Sequence, residues 1–261
     1  MWLDPVRIAL DKAKAPIDLF FRDDDAGWDD SRLAALLDAF QEPLIPLDLA
    51  VIPQALTATL AAALQHRASA QPLGLHQHGF AHANHEPDGR KCEFGSSRTA
   101  EQQYRDIEQG RRRLQERLGS ASDPIFTPPW NRCTAATVAA LRALDFAVLS
   151  RDHGAERLSL GGLGELSVSV DWCRHSDDRN ELGRRIAAAL EQHRPAGVML
   201  HHAVMAEDDL RALRELLSLL QRHDRANCHS MAAFIASDAP EAKTACGSDS
   251  LTHFFAGRDA A

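Results

Sequence analysis

The chain reads as an α/β protein whose parallel strands form a single-domain barrel, complete or incomplete. Two observations carry that reading. Apolar runs of strand length alternate with stretches of helical period along almost the whole sequence, and no glycine-rich phosphate loop follows the first strand, as an open doubly wound sheet would favour.

The strands are placed at 17–22, 47–52, 73–77, 125–127, 146–150, 166–170 and 197–201. Between the first two, Asp29 and Asp30 can cap a helix with Leu33, Leu36, Leu37 and Phe40 on one face. An alanine-rich helix follows Pro53 and runs to about residue 67. Thr99 and Gln102 have the spacing of a capping box for a long charged helix to Leu118, which Gly119 ends. Further helices are expected at 134–144, 180–193 and 207–222. The barrel is expected to occupy 1–238, and 239–261 is expected to be a loosely held tail on which Phe254 and Phe255 offer docking points. Residues 78–98 form a long connection without clear period, a feature that often carries function.

With 261 residues, 44% of them apolar and 25% charged, the chain can bury a substantial core. Its net charge of −8 argues against nucleic acid or an anionic membrane as partner. No run approaches a membrane span, and Asp4, Arg7, Asp11 and Lys12 stand where a signal peptide needs apolar residues, so a cytoplasmic location is expected. Cys92, Cys133, Cys173, Cys228 and Cys246 are odd in number and scattered, which fits reduced thiols.

Polar residues gather at the predicted carboxyl ends of the strands, which share one face of a parallel barrel: Asp23, Asp24 and Asp25, then His76, His78 and His82, then Asp171, then His201 and His202. Three adjacent carboxylates repel one another, so a fold that gathers them supplies a cation or lets one keep a proton; the plainer alternative is a solvated turn capping the next helix. Imidazoles four apart, as at His78 and His82, suit one tetrahedral ion, although a solvated or core-satisfied histidine cluster is the bland reading. Two imidazoles and one carboxylate leave a position open for water, and a neighbouring Asp off the metal can take its proton. After a short strand, Pro128-Pro129-Trp130-Asn131 can stiffen a loop and aim a backbone N–H at an oxyanion, or simply form a rigid loop. A strand-end histidine such as His201, backed by a carboxylate such as Asp171, suits a general acid, though such residues are more often structural. Trp28, Trp130 and Trp172 adjoin these motifs, and flat aromatic surfaces suit sugar rings as well as they suit a core.

Taken in order, Phe21-Arg22-Asp23-Asp24-Asp25-Ala26-Gly27, His78-Gly79-Phe80-Ala81-His82, Phe126-Thr127-Pro128-Pro129-Trp130-Asn131, Asp171-Trp172 and Leu200-His201-His202 resemble the five motifs of the polysaccharide deacetylase family, also called the NodB homology domain or carbohydrate esterase 4. The resemblance spans about residues 17–202. It implies a distorted (β/α)7 barrel, a divalent metal, most often Zn2+ with Co2+, Ni2+ or Mn2+ as substitutes, and removal of an acetyl group from an N-acetylated sugar or related amide. By the same matching, Asp24 is the implied base, Asp25, His78 and His82 the metal ligands, and His201 the general acid with Asp171 its partner. A shift of one residue would move the first two roles to Asp23 and Asp24. The Trp130 backbone N–H is the implied oxyanion donor, and Trp130, Pro129, Trp172 and Trp28 are the candidate substrate contacts.

The family's third motif usually begins with an arginine that braces the base, whereas Thr127 stands there. Period-two alternation puts Arg22 on the face of Asp24, so the expectation is that Arg22 supplies the charge from the first strand. Residues 83–98 extend past the usual second motif as a candidate lid, with Glu93 a candidate for the site. Two other readings stand beside this one: an amidohydrolase-like barrel using His76 and His78 as ligands, and a degenerate barrel that binds a glycan or small ligand without turnover.

Overall fold

The computed structural model describes residues 1–193 and 195–237. The tail expected at 239–261, with Cys246, Phe254 and Phe255, lies outside the described residues. The strands are β1 (Ile17–Ala26), β2 (Leu47–Val51), β3 (Leu73–His78), β4 (Ser122–Thr127), β5 (Val148–Asp152), β6 (Gly164–Val168), β7 (Val170–Asp171), β8 (Ala196–Leu200) and β9 (Ala226–Cys228). They pair in the order β6-β5-β4-β3-β2-β1-β8-β7, and β9 adds to the start of β1. Only Ser169 separates β6 from β7; β6 pairs parallel with β5 and β7 parallel with β8. This bent stave all but closes the sheet, giving a (β/α) barrel of seven staves.

The helices are α1 (Asp4–Lys12), α2 (Asp30–Gln41), α3 (Ala58–Ala68), α4 (Ala100–Leu118), α5 (Ala135–Ala143), α6 (Trp172–His175), α7 (Arg179–Gln192), α8 (Glu207–Arg222) and α9 (Met231–Ser237). The caps lie where the side chains predict them. Asp29 accepts from the Arg32 N–H at 3.2 Å, and the Thr99–Gln102 box closes in both directions at 3.2 and 2.9 Å. The helix expected from Pro53 begins only at Ala58, where Thr57 accepts from the Leu60 N–H at 3.0 Å. Sequence patterning misses α1, α6, β9 and α9; α6, β9 and α9 are too short to show several turns of period. Among the described residues no helix is long and apolar enough to cross a membrane.

Alternation along β1 sorts its side chains to two sides of the sheet. Ile17, Leu19 and Phe21 join the helix-covered core, whereas Phe20 packs inside with Ile125, Val148, Leu166, Val168, Met199 and Met231. Further along β1, Arg22 follows Phe20 on the inward side and donates to Ser150 of β5, while His76 of β3 bonds Thr127 of β4. An apolar plug thus supports a buried polar layer, and the reactive groups rise from that layer.

Candidate metal centre and active site

The centre begins with a carboxylate facing two imidazoles. Asp25 Oδ1 lies 3.2 Å from His78 Nε2 and 3.0 Å from His82 Nε2. The other ring nitrogen of His78, Nδ1, lies 3.0 Å from the Thr127 carbonyl oxygen. A carbonyl only accepts, so Nδ1 carries the proton, and a neutral His78 would turn its Nε2 lone pair toward an anionic oxygen. The contact therefore calls for a cation, either a second proton on the ring or a metal ion. His82 is held less fully, since its Nδ1 is buried without a hydrogen-bond partner. A metal ion fits this donor set: one carboxylate and two imidazoles, with ligand atoms all within 4.8 Å of one another, are the three-ligand complement of an open zinc site. Burial works against ionised Asp25, but hydrogen bonds from His78 and His82 outweigh it and hold the carboxyl far below the usual range.

Backbone conformation aims these groups. Four of the seven non-glycine residues with positive φ among the described residues are Asp25 (72°), His82 (53°), Trp130 (57°) and Asn131 (58°). Each such residue costs on the order of 1–3 kcal/mol and persists only where its surroundings hold it. Glu93 supplies part of that hold: it is wholly buried and accepts from the backbone N–H groups of Ala81 at 2.7 Å and Phe80 at 3.3 Å, inside the His78–His82 turn. A Cβ on Gly79, itself at φ 53°, would stand 2.2 Å from the Glu93 carboxylate and 2.6 Å from Pro129, so only glycine fits that turn. Glu93 thus braces the turn beneath the histidines.

Next along β1, Asp24 is buried and clamped by Arg22, with Nε to Oδ1 at 2.8 Å and Nη2 to Oδ2 at 2.9 Å. Arg22 also donates to Ser150 Oγ at 2.8 Å and Asn131 Oδ1 at 2.9 Å. The guanidinium comes from the strand that bears Asp24, on the face predicted by alternation. Burial pushes the Asp24 carboxyl up; the Arg22 charge, then His78 and His201, more than reverse this and keep it below the usual carboxylate range. His76 lies outside the ligand set. It is buried against Thr127 Oγ1 at 2.9 Å, and burial followed by the Arg22 charge lowers its pKa to about 3. The amidohydrolase-like pairing of His76 with His78 is therefore not the arrangement present.

Asp23 turns elsewhere. Its carboxylate accepts from the His202 backbone N–H at 2.9 Å and from His202 Nδ1 at 2.6 Å, while His202 Nε2 reaches the Trp28 carbonyl at 2.7 Å. Both ring nitrogens face acceptors, which only the imidazolium satisfies. Although burial opposes the charge, Asp23 and the Trp28 carbonyl raise the His202 pKa to about 9. This pair fixes β1 to the end of β8, so the alternative register with Asp23 as base has no geometric support. His202 ends the Leu200-His201-His202 motif, and its spacing alone gives it no role.

His201 is half-buried, and its imidazole has no hydrogen-bond partner among the described residues. Asp171 does not back it: the Asp171 carboxylate caps α6, accepting from the Arg174 N–H at 3.3 Å with the Arg174 guanidinium 3.8 Å away. A carboxylate placed just before a helix finds the helix amides first. Trp172 is likewise corrected from a substrate contact to a core residue, wholly buried, with Nε1 donating to Asp209 Oδ1 at 3.2 Å. Pro129 is buried behind Gly79. Trp28 and Trp130 flank His82, each with its ring centroid 4.5 Å from the imidazole. Among the described residues the Trp130 backbone N–H meets no acceptor, so it is free to donate. Ser150 and Asn131, the last residue of the third motif, complete the Arg22 clamp, a role that nothing local in the sequence ties to β1.

No protein-family model and no curated protein matches the sequence. Solved structures do. A Mycobacterium smegmatis protein assigned to the polysaccharide deacetylases superposes with a TM-score of 0.66 over 87% of this chain and 91% of that one, at 15% identity. A family 4 acetyl xylan esterase from Clostridium thermocellum, in complex with a cobalt ion, gives a TM-score of 0.58 over 84% and 91% of the two chains at 14% identity. A carbohydrate esterase family 4 pseudoenzyme from Bacillus anthracis gives 0.58 over 85% and 66% at 11% identity. The chain has the barrel fold of the polysaccharide deacetylases and family 4 carbohydrate esterases, and it carries its resemblance to their five motifs on that fold.

Proposed function

We propose that this chain is a divalent-metal-dependent hydrolase that removes an acetyl or related acyl group from an N-acylated sugar or similar amide. The observation that carries this reading is the pairing of Asp25 with two imidazoles beside a carboxylate, Asp24, that Arg22 keeps ionised in a buried setting. Zinc suits the donor set best, with cobalt, nickel or manganese able to replace it. Bound by Asp25, His78 and His82, the ion would supply Lewis acidity toward a water and the amide carbonyl.

The protein's own groups do the rest. Asp24 accepts the proton of the attacking water, and Arg22 limits its motion. The Trp130 N–H donates to the oxyanion as charge develops there. His201 gives a proton to the departing amine, and Trp28 and Trp130 offer flat faces to the sugar. The test is metal analysis of purified protein followed by an acetate-release screen of N-acetylated mono- and oligosaccharides. About one metal per chain and release abolished by Asp24→Asn are the results expected. A metal-loaded protein inert across the panel would contradict the reading.

The detachment of Asp171 from His201 favours a second reading, a barrel that binds a glycan without turnover. Glycan binding that survives Asp24→Asn, with no product from the wild type, is its signature.

A further inference from the structure

Beside the centre lies a cavity whose charges the proposed hydrolysis does not use. Its volume is about 590 Å³, and it runs from Trp130, Asn131 and Met199 out to Arg90 and Arg132. Its floor is tied to the reacting carboxylate. The Met199 sulfur accepts from Arg22 Nη2 at 3.1 Å and from Asn131 Nδ2 at 3.5 Å, and the same Arg22 nitrogen holds Asp24.

Four arginines line this space, and they differ in how their charge is met. Arg151 is buried and donates to Glu165 at 2.5 and 3.2 Å, and Arg174 has Asp171 at 3.8 Å. Arg90 and Arg132 have no carboxylate within 4.0 Å among the described residues; Arg132 donates to the Lys91 carbonyl at 2.7 Å. Burial, then the neighbouring Arg90 charge, disfavour protonated Arg132. Two further acids line the cavity, Asp152 and Glu156, beside His153. They reach neither arginine, and Asp152 instead accepts from the Gly154 N–H at 2.7 Å. In a chain of net charge −8, two adjoining guanidiniums are left facing a cavity next to the candidate oxyanion loop. Their forked donors match phosphate and carboxylate oxygens.

We infer that Arg90 and Arg132 bind an oxyanion, a phosphate ester or a carboxylate, carried by the N-acylated substrate. The substrate is then an anionic N-acyl sugar rather than a neutral one. The inference rests on the hydrolase reading for the acyl group and on the cavity alone for the anion.

Titration calorimetry with N-acetylglucosamine, its 6-phosphate and N-acetylmuramic acid compares the neutral, phosphate and carboxylate forms. At least one anionic probe is expected to bind about tenfold or more tightly than the neutral sugar. Arg90→Ala combined with Arg132→Ala abolishes the difference, and salt at about 0.5 M narrows it. Arg90→Glu, at an exposed position, provides a second variant if the first fails to fold, and it is expected to reverse the preference. Which probe gains identifies the phosphate or carboxylate source. Equal binding of all three probes by the wild type, or a preference that survives both variants, overturns the inference. Acetate release without anion preference would sink the anion site and leave the hydrolase reading; anion preference lost with the arginines, without metal or release, would do the opposite.

Discussion

Two buried carboxyl groups on neighbouring strands, Asp24 near the carboxyl end of β1 and Asp48 near the amino end of β2, lose the same contact with water and take opposite charge states. Asp24 is gripped by one edge of the Arg22 guanidinium, through Nε and Nη2, and stays ionised. Asp48 accepts one bond, from the Met231 N–H at 3.0 Å, and its other oxygen has no partner. Burial raises its pKa to about 8, and the nearby Asp123 charge adds to the rise. Burial sets the cost of a charge, and the partner decides whether the charge is kept. The end of the barrel with the candidate chemistry keeps it; the end that docks α9 gives it up.

The largest effect is expected from breaking the compensated side. Arg22→Ala would leave Asp24 buried without its cation, costing about 3–5 kcal/mol of stability in denaturant titration. Its carboxyl pKa would rise, moving the acidic limb of any hydrolytic activity to higher pH. An unchanged limb would remove Arg22 from the account. Replacing Asp48 should act in the other direction. Its folded pKa of about 8 lies above the unfolded value of 3.8, so wild type carries a penalty that is absent below pH 4 and grows until about pH 8. Asp48→Asn keeps an acceptor for Met231 and is expected to be more stable by about 1–3 kcal/mol at pH 8, with no gain at pH 4.

The Asp23–His202 pair sharpens the comparison, because here both partners are charged. The His202 pKa of about 9 lies above its unfolded 6.5, so the pair's stabilisation is complete below pH 6.5 and is lost as pH rises through about 9. His202→Gln should therefore differ from wild type by about 1–3 kcal/mol at pH 6 and by less at pH 10, read from melting curves. The smallest effect concerns Glu93. Removing its bonds to Phe80 and Ala81 in Glu93→Ala should weaken metal binding about tenfold by loosening the His78–His82 turn, and Glu93→Gln should recover part of it.

What the sequence discloses follows from what is local. Strand positions and the shared face of Arg22 and Asp24 come from local periodicity, and the Thr99–Gln102 box from two residue types three apart; both survive folding. The positions of Asp25, His78 and His82 were legible because the spacing and order of short motifs carry them. Asn131, Ser150 and the His202 imidazolium depend on contacts between strands distant in sequence, which no local pattern encodes. Trp172 and Asp171 mislead for a related reason: the same residue types serve a core and a helix cap as readily as a binding face.

The central claim is that one divalent ion is shared by Asp25, His78 and His82. Anomalous diffraction from crystals grown with zinc or cobalt tests it most directly. The account predicts one peak at about 2.0–2.2 Å from Asp25 Oδ1 and from the Nε2 atoms of His78 and His82. Bound metal whose peak lies away from these three atoms would contradict it.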